Sequence, residues 1–210
     1  MKSQLENLYR RSGITKESCF QAGRRLDLHN TLSLWSLTTL AFSLIVVSLI
    51  TQIYGANKFV EEYSRFLNIS MTVLSILALI ISVVVQKSDF SLKADKFRRQ
   101  AMDINELRIS FKHLIDNNDQ TTDDLRKLYE DKSKNYSEIL ERNLIHDQID
   151  YNVSNTQGIE HTYYYIKMII TEFLGYWIII ALALFVLSWA SINTYFVSIE
   201  TQNQNTISSL

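Results

Sequence analysis

Residues 32–53 read LSLWSLTTLAFSLIVVSLITQI, and this stretch decides the fold because it contains no Asp, Glu, Lys or Arg. The charge-free region around it extends from Asp27 to Lys58. An α-helix rises about 1.5 Å per residue, so the stretch would be about 33 Å long, enough to cross a hydrocarbon core of about 30 Å. We therefore predict a first transmembrane helix over residues 32–54.

Two further blocks repeat this pattern. Residues 66–86 read FLNISMTVLSILALIISVVVQ and residues 173–199 read FLGYWIIIALALFVLSWASINTYFVSI, again without a charged side chain. The alternative is a soluble bundle of buried helices, but such helices normally carry a charged stripe at helical periodicity, and these blocks do not. We predict a second transmembrane helix over 66–86 and a third over 163–200.

The composition excludes several other classes of protein. The chain has 210 residues with no proline and five glycines, so a turn-rich β-sandwich or barrel is not expected. The glycines are too far apart to form a phosphate-binding loop such as GxGxxG, which argues against nucleotide enzymes of the common folds.

Basic residues predict the orientation. Six Lys and Arg precede the first span, and a cluster follows the second span, whereas none follows residue 199. The cluster consists of Lys87, Lys93, Lys96, Arg98 and Arg99. Under the positive-inside rule both basic segments face the cytoplasm, which places the N-terminus inside and the C-terminus outside.

The remaining segments are predicted to be mostly helical. We expect an amphipathic helix over 4–28, a helix over 87–115 that continues out of the second span, and a helix over 121–149 that folds back on it. A linker over 151–162 and a disordered tail over 201–210 complete the chain. The predicted fold is an all-α integral membrane protein: a two-transmembrane hairpin, a long cytoplasmic helical hairpin and a third, C-terminal transmembrane helix.

An apolar stripe with nearly heptad spacing runs along residues 87–115. The candidate assembly residues on it are Phe90, Phe97, Ile104 and Phe111. Such a stripe packs helices together, either within one chain or between copies. The function that such a stripe can serve between copies is self-assembly, and we expect a homo-oligomer.

No catalytic, cofactor-binding or metal-binding residues are expected. His113 with Asp116, and His146 with Asp150, have helical spacing, but there is no HExxH motif and a single cysteine, Cys19. Acidic residues outnumber basic ones over 87–172, so direct binding of nucleic acid is not expected. An enzyme acting within the membrane would need ionisable residues inside the spans, and the charge-free blocks 32–53, 66–86 and 173–199 contain no Asp, Glu, His, Lys or Arg.

Uncharged polar residues form a stripe on each of the first two spans. On a helical wheel the first stripe covers about 120° and the second about 80°. The first consists of Ser33, Ser36, Thr39, Ser43 and Thr51, and the second of Asn68, Thr72, Ser75, Ser82 and Gln86. Small hydroxyl residues can hold helices together by close packing and hydrogen bonds. Alternatively, several copies could turn these stripes towards a common axis and line a poorly selective aqueous path.

Taken together, the basic first helix with Arg24 and Arg25, the hairpin joined by GANKFVEEYSR and the long helix from Lys87 resemble the SLATT family of two-transmembrane effectors. The resemblance covers residues 1–150, and the third span looks like an extension found in some subfamilies, including the one associated with reverse transcriptases. It implies an antiphage effector of the bacterial inner membrane. A neighbouring sensor, nucleotidyltransferase or reverse transcriptase is the implied partner.

Two functions from different classes follow. The first is a non-enzymatic, pore-forming effector that oligomerises on activation and kills or arrests the cell by permeabilising the membrane. The second is a membrane anchor or scaffold that recruits a cytoplasmic partner through its helical region.

Overall fold

A computed structural model describes residues 2–116, 122–142 and 144–208, without the side chains of residues 111, 113–116, 122 and 201–208. These residues form helices and no strand. The helices are α1 (Lys2–Ile53), α2 (Lys58–Ser88), α3 (Phe90–Asp116), α4 (Thr122–Glu141), α5 (Gln148–Asn155), α6 (Gly158–Met168) and α7 (Leu174–Ser208), with a π-helical turn (Ile169–Phe173) between α6 and α7.

Within the described residues, three helical stretches are long and apolar enough to cross a membrane: Lys2–Ile53, Lys58–Ser110 and Gly158–Glu200. Each contains one of the charge-free blocks. Large apolar side chains such as Phe42, Leu79 and Phe185 are exposed along them, as expected for surfaces that face lipid. The prediction of an all-α membrane protein is therefore confirmed.

The chain divides into two compact units. The first unit consists of residues Met1–Asn30 and Asp89–Glu172, and the second of Thr31–Ser88 and Phe173–Leu210. Helix α1 contributes residues to both.

The first unit has a core built around the N-terminal part of α1. Small residues such as Ala22 on α1 and Ala94 and Ala101 on α3 are fully buried there. Small side chains let two helices approach closely, and larger apolar groups fill the remaining space. The other buried members of this cluster are Leu8, Cys19, Leu26, Phe97, Ile104, Leu107 and Tyr136.

The second unit has its own apolar core, formed by α1, α2 and α7. Its buried residues are Leu40, Val47, Leu67, Leu74, Ile81, Ala183, Val186 and Ala190. Leu67, Leu74 and Ile81 recur every seven residues along α2, so one face of that helix is buried.

The turn between α1 and α2 is shorter than expected. The Asn57 side-chain oxygen accepts a hydrogen bond from the Phe59 backbone N–H at 3.0 Å, which begins α2 at Lys58 and not at residue 66. The Asn57 amide also donates to the Ser198 hydroxyl at 3.1 Å, which joins this turn to α7.

The predicted helix over residues 66–115 is interrupted. Asp89 separates α2 from α3 and adopts a left-handed backbone conformation with φ of 48°. This conformation is uncommon outside glycine, although Asp adopts it more readily than most residues. The N–H of Lys93 bonds to the Asp89 carbonyl at 3.0 Å and starts the next helix.

Three other segments also differ from expectation. Helix α4 ends at Glu141 and not at residue 149, and the expected linker over 151–162 lies mostly in α5 and α6. The contacts that stabilise α5 involve residues distant in sequence, so local composition did not indicate it. Helix α7 continues through Ser208, where a disordered tail was expected, and nothing in that stretch is a proline or glycine that would end it. Residue 121, where the second cytoplasmic helix was expected to begin, lies outside the described residues.

Trp189 on α7 is expected to be a main contributor to the stability of the second unit. Its ring lies 5.0 Å from Phe59, 5.4 Å from Tyr63 and 5.0 Å from Phe66, measured between centroids. Aromatic pairs of this kind contribute about 0.5–1.5 kcal/mol each. We expect Trp189→Ala to lower the free energy of unfolding by about 2–4 kcal/mol, measured by thermal or denaturant unfolding in detergent.

The matched control is Trp177→Ala, because Trp177 lies on the same helix with its side chain 55% exposed. Trp177→Ala should lower the free energy of unfolding by clearly less than Trp189→Ala does. Equal losses for the two variants would contradict the assignment of Trp189 to the core.

Candidate functional site

The two polar stripes predicted from the sequence occupy different environments. Ser33, Ser36 and Ser43 of the first stripe are buried, and Thr39 and Thr51 are half-buried. The Ser36 hydroxyl donates to the Leu32 carbonyl at 2.8 Å, one turn earlier on its own helix. This stripe therefore faces the interior of the second unit, where small side chains allow close helix packing.

The second stripe is exposed along its whole length. Asn68, Thr72, Ser75, Ser82 and Gln86 all lie on the surface of the described chain. The hydroxyls of Thr72 and Ser75 donate to the carbonyls of Asn68 and Met71 at 2.9 and 2.8 Å, so part of their hydrogen-bonding capacity is used within α2. Leu79, 65% exposed, lies among these polar residues on the same helical face.

The candidate assembly residues lie mostly inside the first unit. Phe97 and Ile104 are buried in its core, and Phe90 is half-buried with its ring stacked on His29 at 5.0 Å. The Phe111 side chain lies outside the described residues. Phe97 and Ile104 therefore pack against helices of their own chain, which is the first of the two alternatives given for this stripe, and they do not provide a free surface for self-assembly.

An ionic cluster around a buried Arg–Asp pair, which the sequence did not reveal, lies within the first unit. We call it the Arg25 cluster; its members are Arg25, His29, Asp147, Asp150 and Glu172. Arg25 is 8% exposed and Asp150 is 0% exposed. The Arg25 Nε and Nη2 each donate to one carboxylate oxygen of Asp150 at 3.0 Å, which is the bidentate geometry that suits a guanidinium and a carboxylate.

Three further contacts complete the cluster. Arg25 Nη2 also bonds to the Asp147 carboxylate, and Nη1 lies 3.6 Å from Glu172 Oε2. His29 Nε2 lies 3.1 Å from the same Glu172 oxygen. Glu172 belongs to the π-helical turn. The cluster therefore joins α1 to the start of α5 and to the turn after α6.

Local geometry at the start of α5 helps to hold Asp150 in place. The backbone N–H of Asp147 donates to Asp150 Oδ2 at 3.2 Å, so this carboxylate serves both the helix terminus and Arg25. Nearby, the hydroxyls of Ser18 and Ser154 lie 3.1 Å apart and make a second connection between α1 and α5.

The charges in this region influence each other's ionisation. Burial alone would lower the pKa of Arg25, but hydrogen bonds and the negative charges of Asp150 and Asp147 raise it above its ordinary value. Burial, and then the negative charge of Asp150, raises the pKa of the Cys19 thiol to about 12. Arg25 is thus a permanent cation, and Cys19 is an unreactive thiol at neutral pH.

The cluster is suited to holding helices together. Its cation is saturated by carboxylates, and no group of three His, Cys, Asp or Glu side chains among the described residues is arranged to hold a metal ion. His146 and Asp150, considered from their spacing as possible metal ligands, have separate environments: Asp150 is buried against Arg25, and His146 is half-buried. The side chains of His113 and Asp116 lie outside the described residues.

Breaking the Arg25–Asp150 pair should strongly destabilise the first unit. Arg25→Gln leaves Asp150 buried without its cation, and removing one partner of a buried pair typically costs about 3–5 kcal/mol. We expect Cys19, which is buried in the same core, to react with a maleimide much faster in this variant at constant pH.

Arg98→Gln is the control, because Arg98 pairs with Asp27 where both side chains are about half exposed. Arg98→Gln should lower the free energy of unfolding of the first unit by less than about 1 kcal/mol. Slow, wild-type labelling of Cys19 in Arg25→Gln would show that the buried pair is not required.

Acid is expected to destabilise the first unit through His29. Burial lowers the pKa of His29, reinforced by Arg25 and opposed by Glu172. Below a pH of about 6.5 the unfolded chain takes up a proton at this position more readily than the folded chain, so stability falls as pH falls. We expect the thermal midpoint to drop between pH 7.5 and 5.5, and to drop less in His29→Gln.

Equal acid sensitivity in wild type and His29→Gln would contradict this role for His29. The comparison is made within each variant between the two pH values, so any loss of stability at pH 7.5 does not affect it.

Comparison with known proteins identifies the family. Residues 1–199 match the SMODS and SLOG-associating 2TM effector domain family 5. No curated protein and no solved structure matches significantly. The matched range includes the third span, which is therefore part of the family's domain and not an extension beyond residue 150. With its three apolar helices and a match over nearly its whole length, the chain belongs to this family of membrane effectors of conflict systems.

Proposed function

We propose that this protein is a non-enzymatic membrane effector that oligomerises when activated and permeabilises the bacterial inner membrane. The observation that carries this proposal is the exposed polar stripe on α2, Asn68 to Gln86. Polar groups that face lipid are unfavourable, and they become favourable when they face one another or water in an assembly.

The contrast between the two stripes supports this role for α2. The first stripe already contributes to the interior of the second unit, so its polarity is explained within one chain. The second stripe has no such explanation. Copies that bring their α2 helices together would give it a polar environment, either as helix contacts or as the lining of an aqueous path.

The proposed topology places the first unit in the cytoplasm and the C-terminus outside, as the distribution of basic residues indicates. In this arrangement the first unit receives the activating partner or ligand. A sensor, nucleotidyltransferase or reverse transcriptase encoded nearby remains the expected partner. The first unit offers surfaces for recognition, including a cavity of about 380 Å³ lined by Arg11, Tyr129 and Tyr136 among others.

Permeabilisation should depend on the second stripe. We expect overproduced wild-type protein to collapse the membrane potential, measured with a potential-sensitive dye, and Thr72→Leu/Ser75→Leu to lose most of this effect. Leucine makes this face apolar and therefore stable in lipid. Leu79→Ser, which extends the polar face, should increase dye release from liposomes that contain the purified protein.

The matched control is Ser188→Leu, because Ser188 is an exposed hydroxyl residue on α7 that bonds to the Leu184 carbonyl in the same manner. It should retain activity. If Thr72→Leu/Ser75→Leu reaches the membrane and still collapses the potential, the stripe does not line the path. An intact potential with abundant wild-type protein would favour the anchor or scaffold function.

A further inference from the structure

Arg108 on α3 lies across helix α1 in a fixed position. Its Nε donates to the Tyr9 backbone carbonyl at 3.3 Å, and its guanidinium carbon lies 4.2 Å from the centroid of the Tyr9 ring. A carbonyl and an aromatic face both attract a cation, but neither carries a negative charge. The side chain is therefore oriented without being neutralised.

Gly13 provides the space that this arrangement needs. A Cβ atom at residue 13 would lie 3.0 Å from Arg108 Nη2 and 3.1 Å from its Cζ, which is tighter than most Cβ contacts, so the guanidinium would have to move by a few tenths of an ångström. Glycine is a poor helix former, so its presence within α1 is locally unfavourable. The contact with Arg108 gives this glycine a specific role.

The guanidinium borders a cavity of about 380 Å³ that belongs wholly to the first unit. Arg10, Ser154 and Asn155 also line this cavity, and they supply a second cation, a hydroxyl and an amide. The lining includes one carboxylate, Glu17, which is paired with Lys16 at 2.8 Å. Among the residues described, no carboxylate lies within ion-pair distance of Arg10 or Arg108.

We propose that this cavity binds a phosphate group, with Arg108 as the main ligand and Arg10 as the second cation. A guanidinium presents paired N–H donors that match two phosphate oxygens, and an oriented, unpaired guanidinium loses little freedom on binding. The inference does not depend on permeabilisation. The phosphate belongs either to a soluble molecule or to a lipid headgroup, and the experiment separates these sources.

The test uses the full-length protein in phosphatidylcholine nanodiscs. Calorimetric titration with inorganic phosphate and with adenosine 5′-monophosphate examines the soluble source. Nanodiscs that also contain phosphatidic acid examine the lipid source, because an occupied cavity would no longer bind the soluble probes. Saturable binding of a soluble probe supports the site. Loss of that binding when phosphatidic acid is added indicates that a lipid headgroup occupies the same cavity.

Two variants localise the binding. Arg108→Gln should weaken it about tenfold or more, as expected when a hydrogen bond to a charged group is lost. Gly13→Ala keeps every charge but shifts the guanidinium by a few tenths of an ångström, and it should weaken binding measurably, though less than Arg108→Gln does. Arg126→Gln is the control, because it removes one positive charge from α4, where Arg126 pairs with Glu130 in an exposed position.

Slow labelling of Cys19 verifies that the first unit of each variant is folded. Unchanged affinity in both Arg108→Gln and Gly13→Ala would overturn the proposal, as would the absence of binding to every probe at millimolar concentration. Because binding is measured without any leakage assay, a failure here leaves the proposed membrane function unaffected, and a failure of that function leaves the phosphate site unaffected.

Discussion

The first unit depends on one buried ion pair, Arg25 with Asp150. Removing two charges from water costs several kcal/mol per ion, and only good geometry compensates for that cost. Here both donors on one edge of the guanidinium meet both oxygens of the carboxylate, and the backbone at Asp147 provides an additional hydrogen bond. The pair therefore fixes both the position and the orientation of α5 on α1.

A different constraint governs the second unit, because its apolar helices are surrounded by lipid and not by water. Apolar burial provides little force between helices in a bilayer, so small residues and specific contacts decide which faces meet. Ser33, Ser36 and Ser43 satisfy this requirement within the chain, and the ring of Trp189 fits among three aromatic residues. The polar face of α2 does not pack against another helix in this way, and the proposed assembly through α2 rests on that difference.

The sequence was sufficient to predict the features that depend on local composition. Charge-free blocks identified the spans, and the apolar spacing from Phe90 identified a helix with one packed face. The Arg25 cluster could not be predicted, because its members are up to 147 positions apart in the chain's numbering, from residue 25 to residue 172. The polar composition after residue 150 is typical of a linker. The residue that holds α5 in place is Arg25, which lies in α1. The exposure of one polar stripe and the burial of the other likewise required three-dimensional packing, since the helical wheels alone are similar.

The π-helical turn at Ile169–Phe173 limits how the length of this segment can change during evolution. A π-helical turn accommodates one more residue than an α-helical turn, and such turns are commonly associated with functional positions. Deleting one residue before Glu172 would restore a regular α-helix and rotate Glu172 by about 100° relative to the side chains of α6. Glu172 would then leave the face on which it meets Arg25 and His29. Relatives that keep this ionic cluster are therefore expected to keep the same number of residues between α6 and α7, even where the identities of those residues differ.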